Sequence, residues 1–207
     1  MGPNRTSERD PVAEDAFLVG EAWEERGRVR ARAPQLGDAA FRIARGEEEP
    51  GAALRFERAE GRQLRDVVGT TVAMLKLVSP RVLEVLEQQG FTGWRAVPVD
   101  LEVSGGDGYA LLVVTGRAGP VEDELSGRVT IEPPVPEGEP GPGFRGLFFR
   151  RGTCDGSDVF TPGDRASIVV VGSVKDALTE AGITGVEFRR LADEERPLLD
   201  DDDDLNA

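Results

Sequence analysis

Two stretches of the chain spell one pattern 92 residues apart: Val82 matches Val174, Leu86 matches Leu178, Gly90 matches Gly182, Thr92 matches Thr184 and Gly93 matches Gly185. The apolar Phe91 and Trp94 stand opposite Ile183 and Val186. Each stretch follows an apolar run, Val72 to Val78 in the first copy and Ile168 to Val171 in the second. Short runs rich in β-branched residues read as buried strands. Ser79-Pro80 then starts a helix, because serine caps and proline suits the first helical position. In the second copy Ser173 is placed to cap, with Asp176 three residues on as in a capping box. Val82, Val85 and Leu86 form one apolar stripe, as do Val174, Ala177 and Leu178. Gly90 and Gly182 stop the helices in the left-handed conformation, and second strands follow at Trp94 to Leu101 and Val186 to Leu191. Each copy is therefore strand, short helix, strand. Duplication yields such a pattern, and so does the same local physics used twice. Two such units pack their sheets together or extend one sheet, with helices on a face.

The rest of the chain divides by composition. Residues 1–14 read as a disordered lead, and residues 15–66 as a folded but loosely specified stretch with apolar clusters at Phe17 to Val19, Trp23, Phe41, Ile43, Leu54 and Phe56. Ala53 to Glu57 alternates as a half-buried strand does. The turn Ser104-Gly-Gly-Asp-Gly108 leads into a strand at Tyr109 to Thr115. Further strands are expected at Gly127 to Ile131 and Gly146 to Arg150. Residues 132–143 hold five prolines and three glycines and are expected to be a surface loop without central strand. The expectation is a single domain over 15–192, α+β, with a mixed β-sheet, short helices and the two similar strand-helix-strand units.

Residues 193–207 hold eight acids against Arg196, so half of the net charge of −14 sits on the last fifteen residues. Five adjacent like charges repel and bury nothing, and this acidic tail is expected to be disordered. An acidic balance without a basic stripe argues against a nucleic-acid partner. No run of about 20 apolar residues is present to cross a membrane, and the polar start lacks the apolar core of a secretory signal. Cytoplasmic residence is the expectation. One cysteine and no histidine exclude an internal disulfide, Ser-His-Asp and Cys-His catalysis, and histidine or multi-cysteine metal sites. No cofactor is expected.

Candidate chemistry gathers in Cys154-Asp155-Gly156-Ser157-Asp158. A nucleophile there needs a base that histidine does not provide, and a calcium loop needs further spaced oxygens and a closing glutamate. The run reads as a turn into a strand at Val159-Phe160. Ser104 to Gly108 lacks the lysine of a phosphate loop. Lys76, in an apolar run, is either a buried amine or an edge or snorkelling lysine, the commoner case. Trp23 and Trp94 read as core anchors.

Three stretches carry a resemblance: Leu77-Val-Ser-Pro-Arg-Val-Leu-Glu-Val-Leu86 with Pro98-Val99; Gly156-Ser-Asp-Val-Phe160; and Ser173-Val-Lys-Asp-Ala-Leu178 with Ala181-Gly-Ile-Thr-Gly-Val186. Over residues 66–192 the chain resembles the myxobacterial-type immunity domain of bacterial polymorphic toxin systems. That family carries an aromatic just before the Gly-Ser-Asp element, where this chain has Cys154 and Asp155. The resemblance implies a non-enzymatic protein that binds and neutralises a cognate toxin. Inhibition by occlusion needs only a rigid complementary surface, and an acidic inhibitor gains association rate against a basic toxin. The carboxylates expected to face such a toxin are Glu122, Asp123 and Glu124, with Asp155 and Asp158 flanking Ser157; the alternative is that these are solvated turns. Two other functions remain open: a regulatory or scaffolding interaction module, and a hydrolase that uses carboxylates alone.

Overall fold

A computed structural model of the chain describes residues 5–22, 27–133, 139–163 and 165–198. In chain order the elements are α1 (Arg5–Glu8), β1 (Ala16–Glu21), β2 (Arg30–Arg32), α2 (Ala39–Ala44), β3 (Leu54–Glu60), β4 (Val67–Gly69), β5 (Lys76–Val78), α3 (Pro80–Gln88), β6 (Trp94–Glu102), β7 (Ala110–Val114) and β8 (Gly116–Ala118). There follow β9 (Gly127–Ile131), β10 (Gly141–Arg145), β11 (Val159–Pro162), β12 (Val169–Val171), α4 (Gly172–Glu180), β13 (Val186–Arg190) and β14 (Glu195–Pro197). The fold is α+β. Strands run β2-β3-β6-β7-β5-β4 in one sheet, β13-β1-β12-β11-β8 in a second and β14-β10-β9 in a third. The two larger sheets are mixed, since β3 pairs β6 and β8 pairs β11 in parallel.

The sequence repeat is a repeat of topology and register. In the first sheet β7 lies between β5 and β6, antiparallel to both; in the second β1 lies between β12 and β13 in the same way. Leu77 and Val97 both oppose Leu111, and their counterparts 92 residues on, Val169 and Arg189, both oppose Leu18. Val67 opposes Val78 just as Val159 opposes Val170. Each half is thus β-β-α-β with an inserted antiparallel strand. The inserted strand follows its unit in the first half and arrives from the N-terminus in the second. That origin explains why the sequence pattern shows only the parts that share an offset.

The halves meet through one core. Val78, Val82, Leu86 and Leu112 pack with their equivalents Val170, Val174, Leu178 and Val19. The two sheets therefore turn corresponding faces to each other and share the helices. The outer face of the first sheet is closed by α2, with Ile43 against Phe56, Leu77 and Leu111. The outer face of the second buries Leu18, Phe160 and Val169 against Leu147, Phe148 and Phe149, with Phe149 and Phe160 edge to face at 5.9 Å. β7 is buried along its whole length because both its faces lie in cores.

Hydrogen bonds cross between the halves in matched pairs. Thr92 donates its backbone N–H and its hydroxyl to the Asp158 carboxylate, each at 2.8 Å. Thr184 donates the same two groups to the Asp66 carboxylate at 3.0 and 2.7 Å. The Val159 N–H donates to the Thr92 carbonyl and the Val67 N–H to the Thr184 carbonyl, both at 3.0 Å. Each half gives the other the same set, which is the signature of an isologous contact about a local two-fold. Gly93 and Gly185 sit at the crossing with φ of 85° and 80°. A Cβ there would lie 2.0 Å from the Val159 carbonyl oxygen and 2.4 Å from that of Val67, so the close approach admits only glycine.

Several expectations are corrected. Residues 9–14 are packed: Asp10 and Ala13 are buried, Asp10 accepts from Val12 and Gly152 N–H groups, and the Arg9 guanidinium stacks on Phe148. Residues 1–4 lie outside the described residues, as does Trp23. The C-terminal boundary moves outward, since Glu195–Pro197 pairs with β10; residues 199–207 lie outside the described residues. Within the expected Pro/Gly loop, Gly141 to Gly143 belong to β10, which lies between β9 and β14. Pro142 lies opposite Leu198, just beyond the end of β14, so its missing N–H falls at the end of that ladder while its carbonyl accepts from Leu198. Gly146 to Arg150 is not a strand; Leu147, Phe148 and Phe149 are all buried, filling space under the second sheet instead of alternating. α4 starts at Gly172, so Ser173 lies inside the first turn and makes no cap bond. Ser79 occupies the N-cap of α3, but its hydroxyl donates to Asp66 at 2.9 Å. Lys76 is buried rather than snorkelling.

Candidate functional site

The carboxylates singled out in the sequence fall on two segments, linked through Arg150, which pairs with Glu122 and lies one short loop before Asp155. Glu122 leads into a 3₁₀ turn at Asp123–Leu125. It pairs with Arg150 at 2.6 Å, and Asp123 pairs with Arg196 at 2.6 Å. Glu124 is exposed and lies in the field of Arg150. From Arg150 the chain runs on to Asp155, whose carboxylate accepts from the Arg117 and Ser157 backbone N–H groups at 2.8 and 2.9 Å. Burial pushes the Asp155 carboxyl upward, but those bonds and the Arg117 charge outweigh it and hold it below its ordinary range. The Ser157 side chain wedges against Gly93 and Gly116. Asp158 is turned to Thr92 across the local two-fold. Burial raises the neighbouring Cys154 thiol, which packs half-buried against the second sheet's outer core. The run is the strand-entering turn that its composition indicates, with the Asp155 carboxylate held by backbone N–H groups. Among the described residues no group of three or more Asp, Glu or Cys side chains is placed to hold a metal ion.

Two features escaped the sequence. The first is Asp66, the counterpart of Asp158. It accepts from Thr184, from the Ser79 hydroxyl and from Arg81 at 3.1 Å. Its burial raises the carboxyl, but these donors prevail and the net displacement is downward. The signal was present, because Asp66 and Asp158 also stand 92 apart, but each lies outside the helix-containing window that reveals the repeat.

The second is the set of partners around the buried Lys76 amine. Lys76 Nζ meets the Glu21 carboxylate at 2.6 Å, with side-chain exposures of 11% and 7%, and Arg28 reaches the same carboxylate at 3.2 Å. Gly69 makes room for it, since a Cβ there would lie 2.2 Å from Glu21 Oε1. The positions related by the two-fold are Val114, Ile168 and Thr161, and the first two are core residues. A cavity of about 350 Å³ opens beside Lys76, lined by Met74, Ala166, Ser167, Ile168 and Arg189 among others.

A cleft of about 630 Å³ runs between α3 and α4. It is walled by equivalent positions of the two halves: Val85 with Ala177, Gln88 with Glu180, and Gln89 with Ala181. The local two-fold therefore passes through it. No helix among the described residues is long and apolar enough to cross a membrane. No family model matches the chain, and no curated protein does.

Proposed function

We propose that this protein is a toxin-neutralising immunity protein that binds a cognate toxin and occludes it, without turning over a substrate. The observation that carries the proposal is the seam: Thr92 on Asp158 and Thr184 on Asp66 lock the two halves into one rigid body, while the Asp155 carboxylate is held by the Arg117 and Ser157 backbone N–H groups. What remains at the surface is shape and charge: a body whose halves are locked together, with an acidic cleft on its two-fold. The resemblance over residues 66–192 supports the same function, and the structural repeat spans nearly that region.

The test is co-purification of the tagged full chain with the product of the adjacent reading frame, together with growth on co-expression. The expected result is a stable complex and rescue of cells from that product. Absence of both a complex and rescue sinks the proposal. A regulatory module would bind its partner without rescuing growth.

A further inference from the structure

The cleft between α3 and α4 is a second place where the two halves differ in chemistry. On one side Arg81, at the start of α3, reaches across the two-fold. Its guanidinium bonds the Asp66 carboxylate and, at 2.8 Å, the Ala181 carbonyl that ends α4. The equivalent of Arg81 on the other side is Ser173, and the equivalents of Asp66 and Ala181 are Asp158 and Gln89. Ser173 is too short to make those bonds. Asp158 accepts from Thr92 through Oδ2 alone, and among the described residues no donor reaches Oδ1 or the Gln89 carbonyl. The cleft opens on this side, where Phe91, Ser173 and Asp176 complete its lining. By the local two-fold, the gap beside Ser173 and Gln89, with Asp158 beyond its lining, corresponds to the space that Arg81 fills in the other half.

The surroundings favour a cation. Both helices end at the cleft, with C-caps Gln89 and Ala181, and helix C-termini carry partial negative charge. Neither helix has a basic residue in its last turn, while Glu87 and Glu180 lie there. Asp176 and Glu180 stand one turn apart, a like-charge spacing that weakens an isolated helix. Lys175, the one cation of α4, is turned to Asp176 and the Phe17 ring. The α4 end is already bonded by Arg81 and Asp176 by Lys175, whereas the Gln89 carbonyl and Asp158 Oδ1 have no such partner among the described residues, and a bound guanidinium gains from both.

We infer that the cleft seats an arginine side chain presented by a basic segment of the bound toxin, which there makes the contacts that Arg81 makes in the other half. The inference rests on the function proposed above and names the surface that performs it.

The deciding variant is Ser173→Arg, which supplies the missing side chain from within the chain. Its thermal midpoint is expected to equal or exceed that of the parent, and its affinity for the adjacent-frame toxin, measured by calorimetry, to fall at least 30-fold. Asp158→Asn, which keeps an acceptor for Thr92, is expected to weaken toxin binding about tenfold. A Ser173→Arg protein that is destabilised shows that the cleft does not hold a guanidinium, and one that binds toxin as the parent does shows that the toxin docks elsewhere. Either result overturns the inference and leaves the proposed function standing. A parent that binds no toxin removes both.

Discussion

Glu21 and Lys76 form a buried ion pair at positions where the other half of the same protein places Val114 and Ile168. Breaking a buried pair by removing one partner leaves a charge without compensation, whereas replacing both by apolar groups is often neutral or stabilising. The protein thus contains its own apolar control. Glu21→Val alone, which strands Lys76, is expected to cost about 3–5 kcal/mol; Lys76→Ile alone, which leaves Glu21 its Arg28 pair, is expected to cost less; and the double replacement is expected to restore part of the first loss. Chemical denaturation of the four proteins measures the coupling; additive losses would mean that the pair does not act as a unit. Asp66 and Asp158 supply a second comparison within one chain. Asp66 holds Thr184, Ser79 and Arg81, while Asp158 holds Thr92. Asp66→Asn is expected to cost about 2–3 kcal/mol and Asp158→Asn about 1 kcal/mol. The Asp66 carboxyl is held below its unfolded value, so between the two values the unfolded chain binds more protons and stability rises with pH. That contribution is complete above the unfolded carboxyl range near pH 4 and fades as pH falls through the folded value. Acid titration of the unfolding free energy is expected to show a shallower decline in Asp66→Asn than in the parent.

At the scale of elements, the Gly-Phe-Thr-Gly and Gly-Ile-Thr-Gly turns do two separate jobs. Gly90 and Gly182 adopt positive φ with nothing near their missing side chains, so alanine there costs about 1 kcal/mol of backbone strain. Gly93 and Gly185 carry the same strain and also face a carbonyl from the other half. Alanine at either is expected to cost clearly more than at Gly90 or Gly182, read as the shift in denaturation midpoint; equal costs would mean that the seam yields easily. This division of labour shows what was legible. Helix starts, stripes and stops follow from local rules, and α3, α4, β6, β7 and β9 stand close to where the residues put them. The crossing bonds of Thr92 and Thr184 join positions 66 apart in one case and 118 in the other, and no local pattern encodes them. β10 was hidden for a related reason. Its two glycines and one proline disfavour a strand, and it is held by pairing with β9 and β14. Of the expected site, the turn at Asp155 to Asp158 was legible from composition. The arginine-shaped cleft was not, because it exists only by contrast between halves that touch in space.

At the scale of the molecule, the second half is completed by a strand from the far end of the chain. β1 joins the edge strand β13 to the rest of the second sheet, pairing with β12 on one side and β13 on the other. Without it both neighbours present bare edges and Leu18 and Val19 leave two cores. Because one of those cores is shared, the loss reaches the half that keeps all its own strands. A chain lacking residues 1–22 is therefore expected to show no cooperative thermal transition, and a synthetic peptide of residues 9–22 added in trans is expected to restore it. Hydrogen exchange resolves whether the halves fold as one body. If they do, the amides of β7 lose protection together with those of β12 when β1 is absent, and the peptide returns both. Protection that persists in β7 while β12 exchanges freely would mean that the first half stands alone and that the shared core only docks preformed units.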